Sequence, residues 1–269
     1  MRRSPRSDNR LSSRRLPGAD HLFTRHGSHF SASAPNVLYY ATMDGTLLDD
    51  IEFSIDTGNL AKHLRIKPGS SRIHKLQDLV DQALSLGRPQ ALYRVAYVES
   101  RTDDHVIVEG QQLTSRLLRM NLEHAHRVFP YVATCGVELE TWGKSFEDIL
   151  LRFWADTIQQ EALYEAMSLL KKHIDANYHP GSTSTMSPGR LEHWPMEGQR
   201  NLFALLGDTE SSIGVRLTDS MLMLPTKSLS GIRFPTEENF ESCQLCPRER
   251  CPGRSAPYDQ DLYHRKYGR

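Results

Sequence analysis

Between Phe146 and Tyr178 the chain runs without a single proline or glycine, and Pro180 with Gly181 then ends the run. A helix over that span is roughly 50 Å long at 1.5 Å per residue, so it must lie across a whole face of whatever the other segments build. One face of it reads Ile149, Phe153, Asp156, Gln160, Leu163, Met167, Leu170 and Ile174. A carboxylate and an amide interrupt an otherwise apolar stripe. On this reading Asp156 is buried and needs partners. It either hydrogen-bonds a neighbouring loop or stands at the edge of a ligand cleft.

The segments around this helix are of mixed type. Ser71 followed by Ile73, Leu76, Val80, Ala83 and Leu84, and then by Gly87 and Pro89, reads as a capped amphipathic helix with a sharp stop. Ala91 to Glu99 and Val106 to Glu109 are rich in Val, Ile and Tyr and predict strands. The pattern predicts a helix over 113–122, a second apolar stretch over 128–135 ending at Gly136, and a helix over 198–206. Helices and strands are mixed without a regular βαβ repeat, which predicts an α+β fold.

The ends of the chain differ from this body. Residues 1–34 carry seven Arg against Asp8 and Asp20 and show no hydrophobic periodicity. They read as a disordered basic extension, with an organelle leader or a start assigned too far upstream as alternatives. The ordered body is expected over 35–240 and a cysteine-rich tail over 241–269. The formal net charge is +0, so no basic excess points to nucleic acid. No apolar run is long enough to predict a membrane span. Four cysteines with one distant from the rest make a poor disulfide framework, and a reducing cytoplasm is expected.

Three of those cysteines, Cys243, Cys246 and Cys251, form a C-x2-C-x4-C pattern. Thiolates from one short loop can converge on a single ion, so zinc or an iron–sulfur cluster is expected, with absence of metal as the third possibility. The fourth ligand is Cys135, His193 or His264, or is missing. Arg248, Arg250 and Arg254 surround the triad and favour thiolates. Among acid–base candidates, Asp156, Glu192 and His193 form no recognisable catalytic set.

Residues 186–234 carry a longer signature. It comprises Ser187-Pro188-Gly189, a helix ending Leu205-Leu206-Gly207, the run Ile213 to Ser220, and then Met223, Pro225, Ser228, Ser230, Gly231 and Phe234. In order and spacing this resembles the reactivation region of cobalamin-dependent methionine synthase, and Ala133 to Glu140 is similar to free-standing versions of that region, which also end in cysteine-rich tails. The resemblance implies a bent antiparallel sheet with flanking helices and a shallow groove for S-adenosylmethionine. It implies ligand contacts from Asp156, Ser187, Pro188, Gly189, Arg190, Ser228, Ser230 and Gly231, and metal ligation by Cys243, Cys246 and Cys251. Cobalamin would reside on a corrinoid-binding methyltransferase partner, whose reductive reactivation this chain would assist. The family has an Arg four positions before the loop glycine, where this chain has Thr185, and Tyr-Pro-Ala-Cys after it, where this chain has Arg190-Leu191-Glu192-His193. Arg190 is then the candidate to pair the ligand's carboxylate. The chain carries no Asp-x-His-x-x-Gly cobalamin motif, so complete methionine synthesis is not expected of it. The alternative is a metal-stabilised binding scaffold that has lost the nucleotide site.

Overall fold

The strand that organises the molecule is Arg127–Thr134, apolar on both faces and buried along nearly its whole length. A strand that alternates would have one wet face; this one has a layer packed on each side. The computed structural model describes residues 38–42, 45–49, 51–190, 193–237, 240, 242–250, 254 and 256–268. The expected extension over 1–34 lies outside them, as do Leu191, Glu192 and Cys251.

In chain order the strands are β1 (Leu38–Thr42), β2 (Gly45–Asp49), β3 (Gln90–Tyr93), β4 (Ala96–Arg101), β5 (His105–Val108), β6 (Gln111–Thr114), β7 (Arg127–Thr134), β8 (Thr183–Met186), β9 (Arg216–Leu217), β10 (Met223–Leu224) and β11 (Ser228–Pro235). The helices are α1 (Thr57–His63), α2 (Arg72–Leu86), α3 (Arg116–Asn121), α4 (Val137–Lys144), α5 (Ile149–Tyr178), α6 (Gln199–Leu206), α7 (Thr209–Ile213) and α8 (Gln260–Tyr267). The main sheet is antiparallel throughout, in the order β1-β2-β3-β7-β4-β5-β6, and β11 pairs with the other edge of β7 and then with β8. β9 and β10 form a separate ribbon.

One edge of β7 is therefore shared: its second half pairs with β3 and its first residues with β4. The sheet bends at that handover. Pro130 sits there, with its carbonyl accepting from Arg94 N at 3.0 Å. Its missing N–H falls where one partner strand gives way to the next, which is how a central strand tolerates a proline.

Two apolar layers result. Phe129, Tyr131 and Ala133 point towards α2, α4 and α5, whereas Val128 and Val132 point towards α3, α6, α7 and the C-terminal tail. Leu245 and Leu262 of the tail belong to the second layer.

The long helix is present but turned from the expected orientation. α5 starts at Ile149, where Asp148 Oδ1 accepts from Leu150 N at 2.7 Å, and stops at His179, whose φ of 44° is left-handed. Leu163, Leu170 and Ile174 are buried as expected, but Ile149 is 85% and Phe153 56% exposed. The buried face of the first half is Trp154, Ala155, Ile158, Gln159 and Ala162. Alanines at 155, 162 and 166 let the helix sit close against its neighbours, a role that apolar periodicity underweights. The interior amide is Gln159, donating to Leu139 O at 2.6 Å, not Gln160. Asp156 is not buried either: its side chain is 55% exposed and pairs with Lys227 at 2.9 Å. The helix expected over 113–122 splits into β6, paired with β5, and α3, which Ser115 caps by accepting from Leu118 N at 3.1 Å.

Candidate functional site

A cavity of about 370 Å³ opens where β8 ends and β11 begins. The Ser187–Arg190 loop forms one wall, and its turn depends on Gly189, whose φ of 74° suits a residue without a Cβ. Gly189 N donates to Trp194 O at 2.7 Å and Arg190 N to Ser187 O at 3.3 Å, which holds the loop closed. Ser230 of β11 and Gln199, the first residue of α6, supply the floor. Met196, Met221, Met223 and Leu229 make most of the remainder apolar.

Gln199 is the most informative of these residues. It is 3% exposed, its Nε2 donates to Ser230 Oγ at 3.1 Å, and its Oε1 has no partner among the described residues. A buried amide oxygen left unpaired costs about 1–3 kcal/mol, so an N–H donor entering the cavity would be favoured there. Three guanidinium groups, those of Arg190, Arg248 and Arg254, also border the cavity, and among the described residues no Asp or Glu does. The arrangement suits a ligand with an apolar middle, an N–H donor and an anionic end.

Beneath the loop lies Tyr131. Burial raises its phenol pKa, while the Arg190 charge and hydrogen bonds with Ser187 and Thr185 pull the other way, so it stays neutral and fixes the end of β8.

Not every expected ligand residue reaches the cavity. Ser187, Pro188, Gly189, Arg190 and Ser230 line it. Ser228 is turned inwards, donating to Pro225 O at 2.7 Å, with its Oγ accepting from Thr134 Oγ1 at 3.0 Å. Gly231 has a steric role: a Cβ there would stand 2.7 Å from both Met186 O and Ser187 Oγ. Asp156 borders a separate cleft with Glu140, Arg152 and Gln159, and Thr226 lines both that cleft and the main cavity. Gln199 and the three methionines were not legible as site residues, because nothing local marks a helix-starting glutamine as buried.

No protein-family model matches the chain, and no curated protein matches it. Among solved structures it is similar to the MetH reactivation domain, determined bound to AdoHcy, with 16% identity over 70% of this chain and 69% of that chain and a TM-score of 0.52. The fold is that of the methionine synthase reactivation domain. The expected α+β architecture, a bent antiparallel sheet with flanking helices, is borne out.

The C-terminal tail forms one wall of the cavity. Cys243 and Cys246, on and just after a short 3-10 turn, border the same cavity as Gly189 and Gln199. Arg254 holds their loop: its guanidinium donates to the carbonyls of Cys243 at 3.0 Å and Cys246 at 3.3 Å, and also to that of Arg248. Its visible role is thus to staple the backbone. Asp259 caps α8 by accepting from Leu262 N at 2.8 Å, and Tyr267 Oη accepts from Asn121 Nδ2 at 2.6 Å, which anchors the tail to α3.

The expected metal set is not completed by these residues. Cys251 lies outside the described residues, and among those described no three His, Cys, Asp or Glu side chains come close enough to hold a metal. Of the candidate fourth ligands, His193 borders a neighbouring cavity with Cys246, and His264 faces Gln260 on α8. Cys135 lies in the apolar layer under α5, and burial, with Glu140 nearby, pushes its thiol up to about 12. That thiol is a buried packing group and no ready thiolate. Among the described residues, no helix is long and apolar enough to cross a membrane.

Proposed function

We propose that this chain is an accessory module that binds S-adenosylmethionine, or its product S-adenosylhomocysteine, and assists the reductive reactivation of a corrinoid carried by a partner methyltransferase. The observation that carries the reading is the cavity at the Ser187–Arg190 loop, with the unpaired Gln199 Oε1 on its floor. Its surroundings match the ligand's chemistry. The Arg190 guanidinium takes the carboxylate that the Arg absent at Thr185 would have held. Met196, Met221 and Met223 accept the apolar, sulfur-bearing middle. Gln199 Oε1 accepts from an N–H of the ligand. Asp156, across Thr226, faces whatever part of an extended ligand passes that residue.

The same cavity ties the tail to the function. Cys243 and Cys246 stand at the ligand, so the tail closes the site on one side. What the site does for the corrinoid is hold a methyl donor; the corrinoid and its reduction belong to the partner. Expected partners are therefore corrinoid-loaded methyltransferase proteins.

Calorimetric titration of the full chain with S-adenosylmethionine tests the reading. Saturable heat is expected, with affinity falling about tenfold in Gln199→Leu and about tenfold in Arg190→Gln. Absence of saturable heat with both S-adenosylmethionine and S-adenosylhomocysteine sinks the proposal and leaves the fold as a binding scaffold.

A further inference from the structure

A second cavity, of about 570 Å³, lies between α5 and β8, and its walls are chemically unlike those of the first. Alternation along β8 puts Thr183 and Thr185 on one face of the strand, while Ser184 is buried on the other, where its Oγ donates to Phe240 O at 3.0 Å. The other side of the cavity is the C-terminal half of α5, which contributes Ser168, Lys171 and Asp175. At the base sits Arg233 of β11, opposite Thr185 in the strand register.

Arg233 is 7% exposed. Its Nη2 donates to Asp175 Oδ1 at 2.8 Å, but its Nε has no partner among the described residues. The Nε and Nη2 hydrogens of a guanidinium lie side by side and together suit two oxygens of one oxyanion. Asp175 satisfies only half of that edge. Lys171, one turn before Asp175, borders the same cavity and makes no ion pair among the described residues. Two cations therefore face one carboxylate that is already engaged, leaving room for one more negative group.

We infer that this cavity is a second ligand site, separate from the adenosyl site, which takes the phosphate of a small hydroxylated phosphoester. Arg233 Nε and the Lys171 ammonium hold the phosphate oxygens. The Ser168 and Thr183 hydroxyls, which also border the cavity, hold the hydroxylated remainder. The volume exceeds what a bare phosphate fills, and beside Met167 and Phe240 the wall offers more hydrogen-bonding groups than that of the first cavity, where three methionines stand. The inference does not rest on S-adenosylmethionine binding.

Titration of the full chain with glycerol 3-phosphate, inorganic phosphate and glycerol, followed by phosphorus NMR and calorimetry, tests it. Glycerol 3-phosphate is expected to bind saturably and more tightly than inorganic phosphate, and glycerol not at all. Lys171→Gln and Arg233→Lys should each weaken it about tenfold, since each removes one charge-assisted contact. Gln199→Leu, in the other cavity, should leave it unchanged. Equal affinity for inorganic phosphate would keep the oxyanion site but assign it to free phosphate, overturning the phosphoester. No saturable binding at millimolar concentration, or unchanged affinity in Lys171→Gln, overturns the site. The Lys171 variant decides the matter if Arg233→Lys does not fold, because Lys171 is on the surface.

Discussion

Replacing Gly231 by Ala inserts one methyl group into the narrowest seam of the sheet. β11 runs between β7 and β8 at this point, with Gly231 opposite Tyr131. The added Cβ would meet Met186 O at 2.7 Å, Ser187 Oγ at 2.7 Å and Tyr131 Oη at 2.9 Å. Ser187 can rotate, but the Met186 carbonyl is backbone and Tyr131 is fully buried in the layer under α5, so the end of β8 must recede by roughly half an ångström. Overpacking of this kind costs about 1–3 kcal/mol, and backbone on one side places this case near 3. The alanine returns about 0.5 kcal/mol by restricting the unfolded chain. A net loss of about 2.5 kcal/mol corresponds to a fall in Tm of about 5–10 °C for a body of this size. Thermal unfolding followed by circular dichroism measures it. Gly181→Ala is the reference: its φ is 73° and nothing lies within 4 Å of the added methyl, so only the left-handed penalty of about 1 kcal/mol applies. The reasoning fails if Gly231→Ala melts within about 1 °C of the parent, or above Gly181→Ala. Because Ser187 is displaced, the variant should also weaken the S-adenosylmethionine binding proposed above, whereas Gly181→Ala should not.

Cys135 makes stability depend on alkaline pH. Its thiol pKa rises from 9.0 to about 12 on burial, so its contribution is intact below pH 9 and is lost as the pH climbs to 12, where the unfolded chain releases a proton that the folded one keeps. Across that window stability should fall by about 1.4 kcal/mol per pH unit from this group, and urea titrations of Cys135→Ala should show a slope shallower by that amount. Iodoacetamide should label Cys246 in the native protein while sparing Cys135, as mass mapping would show. Arg254→Gln should release the loop carbonyls of Cys243 and Cys246 and speed alkylation of Cys246 several-fold; an unchanged rate would mean that the staple is inert. Asp156→Asn should cost no more than about 1 kcal/mol, because the Lys227 pair is half-exposed, and a larger loss in chemical denaturation would show that the carboxylate is structurally more important than its exposure implies.

Sequence alone determined what depends on neighbours along the chain. The stop of α5 after Tyr178 follows from Pro180, and the burial of 128–133 from an unbroken apolar stretch, which pairing with β3, β4 and β11 then made a strand. It also marked Ser187, Arg190 and Ser230, which the structure gathers at one cavity. Tertiary structure decided what depends on distant partners. The face that α5 buries in its first half is set by contact with the sheet and α4, where Ala155 and Ala162 matter more than Ile149 or Phe153, so Asp156 turned out to the surface beside Lys227. Gln111–Thr114 became a strand because β5 offered its edge, a fact absent from the local pattern. Gln199 entered the site, and Ser228 left it, according to which side chain Ser230 and Thr134 placed opposite them. The cysteine tail was legible as a motif, but only the tertiary structure brings Cys243 and Cys246 to the wall of the cavity at Gly189, because Leu245 and Leu262 pack the tail onto the second apolar layer.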